Sequence, residues 1–153
     1  MISGFKRILL PIDFSEHCDR VADYAAWFAR ISQGTVHLVH VVANPADPIY
    51  VPQEVAYWLM VEHSERKARE LLEAAAQRCL PADCAREFHI LQGDPYEKLM
   101  EAAASIRPDL VVLSSHGHSR IAHLVMGSVA EKITRHATCP VLLIHSKHEA
   151  AQP

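Results

Sequence analysis

Three short, uninterrupted apolar runs restrict the fold of this chain more than any other feature of its sequence. They occupy residues 8–11, 110–113 and 141–144. Each is shorter than a typical helix, and none alternates between apolar and polar residues as a half-exposed strand would. Continuous apolar strands are typical of a parallel sheet that is covered on both faces. The runs therefore predict buried strands of an α/β fold.

Segments with helical spacing separate these runs from two more strand-like stretches, at 36–42 and 86–91. We expect Gly34 to end the first helix as a C-terminal cap. Asp94, followed by Pro95, should cap and begin another helix. Five strands alternating with four helices predict a doubly wound α/β sandwich with right-handed crossovers. The helices after the first are expected at 54–80, 94–106 and 127–136.

Composition and charge exclude several classes of protein. The 153 residues carry a formal net charge of −3, and basic residues are scattered along the chain, so a nucleic-acid interface is not expected. No apolar run approaches the length of a membrane span. The four cysteines show no C-x-x-C pair, and the first residues do not resemble a signal peptide, which predicts reduced thiols and a cytoplasmic location. We expect one domain at 1–146 and a disordered polar tail at 147–153.

Polar groups follow the first and fourth predicted strands, at the edge where an open α/β sheet binds its ligands. Asp13 comes directly after the first strand, and a loop with Ser114, His116 and Gly117 comes directly after the fourth. If these two strands are neighbours, the two segments face each other where the strand order reverses. Asp13 could then accept hydrogen bonds from a ribose or an adenine amine.

The start of the last helix adds an anion-binding element. Gly127 would let the backbone approach a ligand closely, and Ser128 with the free amides behind it would form a phosphate cradle. Simpler interpretations remain open for each of these residues. Ser128 and Glu131 could form a capping box, while Gly117 could supply a positive φ in a turn. Asp13 could cap the first helix or its turn.

The eleven histidines do not form a recognisable metal-ligand pattern. His37 and His40 are three residues apart on a strand, so their side chains should point to opposite faces. Three more, His116, His118 and His123, are near the candidate site, but no Cys or Glu completes a ligand set there. No metal site is expected, and solvated or hydrogen-bonded histidines are favoured.

Two other classes of protein fit parts of the pattern. A phosphoacceptor receiver domain shares the alternating plan, and Asp13, Asp94 and Lys147 mimic three of its positions. Its Mg²⁺ site would be short of oxygen ligands, because the first strand ends in one acid rather than a pair. For an enzyme, Ser15, Ser128 and the cysteines lack a base and an orienting group at a known spacing. Slow hydrolysis of a bound nucleotide is the most that the sequence supports.

Several segments together resemble the universal stress protein family. Residues 6–15 resemble the opening of that family, and 38–42 resemble its second strand. Residues 108–117, 127–133 and 139–144 are similar to its C-terminal signature. The resemblance covers nearly the whole chain, and the proline-rich loop after the second strand is among its least distinctive parts.

The resemblance implies a three-layer, adenine-nucleotide alpha-hydrolase-like sandwich with a five-stranded parallel sheet in the order 3-2-1-4-5. It also implies a homodimer that pairs through the last strand, Val141–Ile144. Members that bind ATP usually carry Gly-x-x-Gly, nine residues, and then Gly-Ser or Gly-Thr. Here Gly117, nine residues and Gly127-Ser128 match that motif, while Ser114 replaces its first glycine.

By position, the resemblance implies a regulatory adenine nucleotide, ATP with or without Mg²⁺, bound in a stress response. Asp13 and the backbone of Val41 would meet adenine and ribose, and the glycines with Ser128 and Val129 would hold phosphates. The candidate site residues are Pro11, Asp13, Val41, Ser114, His116, Gly117, Gly127, Ser128 and Val129. Serine at 114 costs about 1 kcal/mol if a positive φ is needed there, and fits if only a small residue is needed. The alternative is a nucleotide-free, dimeric interaction protein.

Overall fold

The structure, a computed structural model, describes residues 4–15, 17–43, 53–115 and 126–145, with residues 53–63 described by their backbone alone. In chain order the elements are β1 (Arg7–Pro11), α1 (Cys18–Ser32), β2 (Thr35–Val42), α2 (Gln53–Cys79), β3 (Arg86–Gln92), α3 (Pro95–Ile106), β4 (Leu110–Ser114), α4 (Ser128–His136) and β5 (Val141–Ile144). The tail expected at 147–153 lies outside the described residues. Within the described part of the chain, no helix is both long and apolar enough to cross a membrane.

The five strands form one parallel sheet in the order β3-β2-β1-β4-β5. This confirms the α/β fold expected from the sequence pattern and the strand order that the resemblance implied. Strand β1 pairs with β2 on one side and with β4 on the other. The strand order therefore reverses between β1 and β4, and the carboxyl ends of these two strands border one crevice.

Helices cover both faces of the sheet. On one face, Ile8 and Leu10 pack in a core with residues of α1 and α2, such as Val21 and Leu72. On the other face, Leu9 packs in a second core with residues of α3 and α4. Successive residues of a strand point to opposite faces. Because each face is covered, the consecutive residues Ile8, Leu9 and Leu10 are all apolar and buried, which explains the continuous runs in the sequence.

The start of α3 is formed as predicted. Asp94 precedes the helix in an extended conformation, and its Oδ1 accepts a hydrogen bond from the Glu97 amide at 3.0 Å. Pro95 occupies the first helical position, where a missing N–H costs nothing. The carboxylate of Asp94 is thus explained as a helix cap.

The end of α1 differs from the prediction, because Gly34 is not its left-handed cap. Gln33 takes that role with φ of 51°, and its amide donates to the carbonyls of Ala29 and Arg30. The Gly34 amide donates to the Ala29 carbonyl at 2.9 Å, which completes a Schellman arrangement. Glycine is needed at 34 for space, since a Cβ there would clash with the carbonyl oxygen of Phe5.

Candidate functional site

A cavity of about 290 Å³ opens at the carboxyl edge of the sheet, at the crevice between β1 and β4. Seven of the nine candidate site residues line it: Pro11, Asp13, Val41, Ser114, Gly127, Ser128 and Val129. The other two candidates, His116 and Gly117, lie outside the described residues. The structure therefore brings together residues that are more than 100 positions apart in the sequence.

Asp13 shapes the turn between β1 and α1. Its Oδ1 accepts hydrogen bonds from the Ser15 amide at 3.0 Å and from the Cys18 thiol at 3.3 Å. The first is an Asx turn ahead of the helix, and the position that caps α1 is His17. The alternative interpretation of Asp13 is thus right for the turn and wrong for the helix cap.

The Cys18 thiol lies beside Asp13 in the wall of the cavity. Burial raises the pKa of this thiol, and the negative charge of Asp13 raises it further. Cys18 therefore stays protonated at neutral pH and acts as a hydrogen-bond donor rather than as a nucleophile.

His40 is a lining residue that sequence reasoning considered only as a metal ligand. Its Nδ1 lies 2.6 Å from the carbonyl oxygen of Ile12, and its ring lies 4.3 Å from that of Phe14. Phe14 itself has a left-handed backbone, with φ of 60°. His40 thus fixes the path of the chain between β1 and Asp13. Its position just before Val41 at the end of β2 was the signal that could have placed it here.

Apolar side chains form much of the cavity wall. Val39 comes from β2, Leu113 from β4, Leu99 from α3 and Ile133 from α4. All four residues are nearly fully buried. Such a wall suits the face of a flat, apolar ring, with polar groups at the rim to fix its orientation.

Ser114 is the last residue of β4 and pairs with Ile144 of β5. Among the described non-glycine residues, a positive φ occurs at Phe14, Gln33 and Arg107, so the backbone of Ser114 is not left-handed. Serine therefore adds no backbone strain at this position. Of the two cases left open by the sequence, the one in which residue 114 has a positive φ does not apply to this structure.

The N-terminus of α4 lies at the cavity. Gly127 is the capping residue, with an extended backbone, and its amide donates to the Ser115 carbonyl at 2.7 Å. The first hydrogen bond of the helix runs from Glu131 to the Gly127 carbonyl, so the amides of Ser128, Val129 and Ala130 precede the helical ladder. The proposed capping box with Ser128 as its cap is wrong, because Ser128 is already the first helical residue.

These free amides and the positive end of the helix dipole can bind an anion. Ser128 and Val129 lie beside the apolar wall and Asp13 in the same cavity. The arrangement can therefore hold a ligand that combines a flat ring, hydrogen-bond donors and a negatively charged group.

Comparison with known proteins agrees with this architecture. Residues 4–145 match the model of the universal stress protein family. A universal stress protein of Thermus aquaticus is 32% identical over 140 residues, which cover 92% of this chain and 98% of the relative. The family match leaves no support for a receiver domain.

Solved structures of universal stress proteins share this fold. The UspA protein of Lactobacillus plantarum has a TM-score of 0.78 at 21% identity, with 92% of this chain and 98% of that chain covered. A universal stress protein of Archaeoglobus fulgidus, solved in complex with dAMP, has a TM-score of 0.58 at 20% identity and coverages of 91% and 97%. A universal stress protein solved in complex with cAMP has a TM-score of 0.60 at 23% identity, with 94% of this chain and 99% of that chain covered. On its fold and its family match, this chain belongs to the universal stress protein family.

Proposed function

We propose that this chain binds an adenine nucleotide in the cavity between β1 and β4, as a regulatory ligand in a stress response. The observation that carries the proposal is that one cavity is lined by Asp13, by an apolar wall and by the N-terminus of α4. Asp13 can accept hydrogen bonds from the sugar or the base, the apolar wall can contact the base ring, and the helix N-terminus can bind the phosphate. The complexes of two structural neighbours with dAMP and cAMP support an adenine ligand.

Each part of the nucleotide has a proposed partner. Asp13 accepts from the ribose or the adenine amine, and the backbone of Pro11 and Val41 borders the base. Phosphates lie against the amides of Ser128 and Val129, where Gly127 leaves room for close approach. His116 and Gly117 follow Ser115 directly in the chain and are proposed to complete the phosphate side. ATP, with or without Mg²⁺, is the proposed physiological ligand.

Titration with ATP, ADP and AMP, each with and without Mg²⁺, tests this proposal by calorimetry and thermal shift. A ligand present at 100 times its Kd stabilises the folded state by about 2.7 kcal/mol, which gives a clear rise in Tm. Asp13→Ala should weaken binding at least about tenfold, because it removes a charged acceptor. Gly127→Val should weaken it as well, by blocking the approach of the phosphate.

Asp83→Asn is the matched control, because it removes a negative charge at an exposed turn away from the cavity. Its affinity should equal that of the unmodified protein. Unchanged affinity in both site variants would place the nucleotide elsewhere. An absence of any shift at millimolar ATP would instead favour the nucleotide-free interaction protein.

Ser114→Gly examines the departure from the family motif. Because the backbone of Ser114 is not left-handed, we expect its nucleotide affinity to stay within a factor of about three, less than 1 kcal/mol. A gain of tenfold or more would show that the serine side chain obstructs the phosphate.

We also infer a homodimer that pairs through β5. This strand lies at an edge of the sheet. The carbonyls of Pro140 and Ile144 accept hydrogen bonds from Val111 and Ser115. Since backbone groups alternate in direction along a strand, those of Val141 and Leu143 point away from β4. An exposed row of donors and acceptors is a template for pairing with a second copy.

Sedimentation velocity measures this association. We expect a dimer for the unmodified protein and a Kd at least about tenfold higher for Val141→Lys, because two like charges would then face each other across the paired edges. Circular dichroism checks that the variant is folded. A dimer of unchanged strength would place the interface elsewhere.

The four cysteines support the proposed cytoplasmic location. All of them are free thiols in the structure: Cys18, Cys79, Cys84 and Cys139. Reduced cysteines are typical of that compartment. Binding and signalling, rather than turnover, remain the proposed role.

A further inference from the structure

Two histidines and a glutamate meet on β2 and β3, and none of the three lines the cavity. His37 is the third residue of β2, directly opposite Glu87 of β3, and His89 lies two residues after Glu87. Residues two apart on a strand share a face, as do directly paired residues of neighbouring strands. All three side chains therefore lie on one face, next to Val39, which pairs with His89 and lines the cavity.

The three potential ligand atoms form a small triangle. His37 Nδ1 lies 3.2 Å from His89 Nε2 and 3.4 Å from Glu87 Oε2. The third side, from His89 Nε2 to Glu87 Oε2, measures 3.9 Å. In a tetrahedral zinc site with bonds of 2.0–2.2 Å, two ligand atoms lie about 3.3–3.6 Å apart. The triangle thus has nearly the size of one face of a zinc tetrahedron. The longer side ends on Glu87, whose side chain is 60% exposed and free to adjust.

Burial differs across the triangle in a way that suits a metal. The His37 side chain is 10% exposed and that of His89 is 29% exposed. Burial lowers the pKa of His37, the negative charge of Glu87 raises it by a smaller amount, and the charges of His89 and Arg7 lower it further. The neutral imidazole is the form that coordinates a metal. The exposed side, at Glu87, leaves room for water as a fourth ligand.

The positive charge of Arg7 does not dominate the site. Arg7 acts on His37 through its charge, but its guanidinium lies 3.3 Å from a carboxylate oxygen of Asp109. The negative charge of Asp109 offsets much of its field. Glu87 supplies the negative charge inside the triangle itself.

We propose that His37, Glu87 and His89 bind Zn²⁺, with water in the fourth position, and that the metal joins β2 to the edge strand β3. Two imidazole nitrogens and one carboxylate suit zinc, whereas Mg²⁺ and Ca²⁺ require mostly oxygen ligands. The alternative is a purely hydrogen-bonded cluster, in which protons rather than a metal lie between these atoms. Both arrangements fit the contacts, and a measurement of metal binding distinguishes the zinc site from the hydrogen-bonded cluster.

Calorimetric titration of the untagged, EDTA-treated, full-length protein with Zn²⁺ tests the proposal. We expect one Zn²⁺ per chain and a rise in Tm. Glu87→Gln and His89→Asn should each weaken binding at least about tenfold and remove the rise in Tm. His136→Asn is the matched control, because His136 is an exposed histidine outside the triangle, and its affinity should be unchanged.

Titration with Co²⁺ identifies the ligands by their absorption. A tetrahedral d–d spectrum without a thiolate charge-transfer band is expected, which would exclude the cysteines as ligands. Asp13→Ala should bind Zn²⁺ normally, so this result is independent of the nucleotide proposal. Equal Zn²⁺ affinity in Glu87→Gln and in the unmodified protein would overturn the site, as would an absence of stoichiometric binding. Glu87→Gln exchanges one exposed side chain for another of the same size, so its folding is secure.

Discussion

Gly34→Ala is expected to lower the free energy of unfolding by about 3 kcal/mol. A Cβ at this position would clash with the carbonyl oxygen of Phe5 and would lie 3.0 Å from both Cα and O of Lys6. These are backbone atoms, and they are held in place because the Lys6 carbonyl accepts the Thr35 amide at 2.8 Å. Relief of the clash would therefore disturb the start of the β1–β2 pairing. Urea denaturation, followed by circular dichroism, measures the loss.

Gln33→Gly is the informative control for this prediction. Gln33 holds the left-handed conformation at the end of α1, and glycine adopts it without a steric penalty. We expect this variant to be as stable as the unmodified protein, or more stable by up to about 1 kcal/mol. The opposite ranking, with a mild loss for Gly34→Ala and a larger one for Gln33→Gly, would show that Gly34 is the cap after all.

Leu72→Ala is expected to cost about 3–4 kcal/mol, because it leaves a cavity in the core between the sheet and the helices α1 and α2. The side chain of Leu72 is fully buried. Leu71→Ala should cost at most about 1 kcal/mol, since Leu71 is 42% exposed. Both substitutions have the same effect on helix propensity and lie in the same turn of α2. The difference between their losses in free energy of unfolding therefore reports the burial of the side chain.

Chemical denaturation of the two variants, at constant slope m, gives the comparison. Equal losses for Leu71→Ala and Leu72→Ala would mean that α2 does not pack on the sheet through the face seen here. A larger loss for Leu71→Ala would mean that the helix is rotated, with Leu71 facing the core.

The fold could be predicted because its signals are local. Ile8, Leu9 and Leu10 are consecutive apolar residues, and a strand needs such a run only when both faces of its sheet are covered. Asp94 and Pro95 likewise mark the start of α3 through interactions within one turn. The position of Gly34 was misread because the close approach of Phe5, about thirty positions earlier in the chain, is invisible to any local pattern.

The candidate site was predicted in part. Asp13 and Ser114 follow the ends of strands, and the rule that ligands bind at the strand reversal places them together once β1 and β4 are neighbours. The contribution of His40 was missed, because its contact with the Ile12 carbonyl depends on how the loop after β1 folds back. The backbone conformation of Ser114 could not be predicted either, because this residue is part of β4 and pairs with Ile144 of β5.

By itself, the sequence determined the order of the elements and the covered sheet, since these follow from apolar periodicity and from short capping motifs. Most of the residues around the cavity were implied by the resemblance to the family. The tertiary structure alone decided which distant side chains touch. His37 joins Glu87 and His89 because β2 and β3 pair in one particular register. A shift of that register by one residue would move one strand's side chains to the other face, and the triangle would be lost. Contacts between strands depend on the packing of the whole sheet, and no spacing within a single strand encodes them.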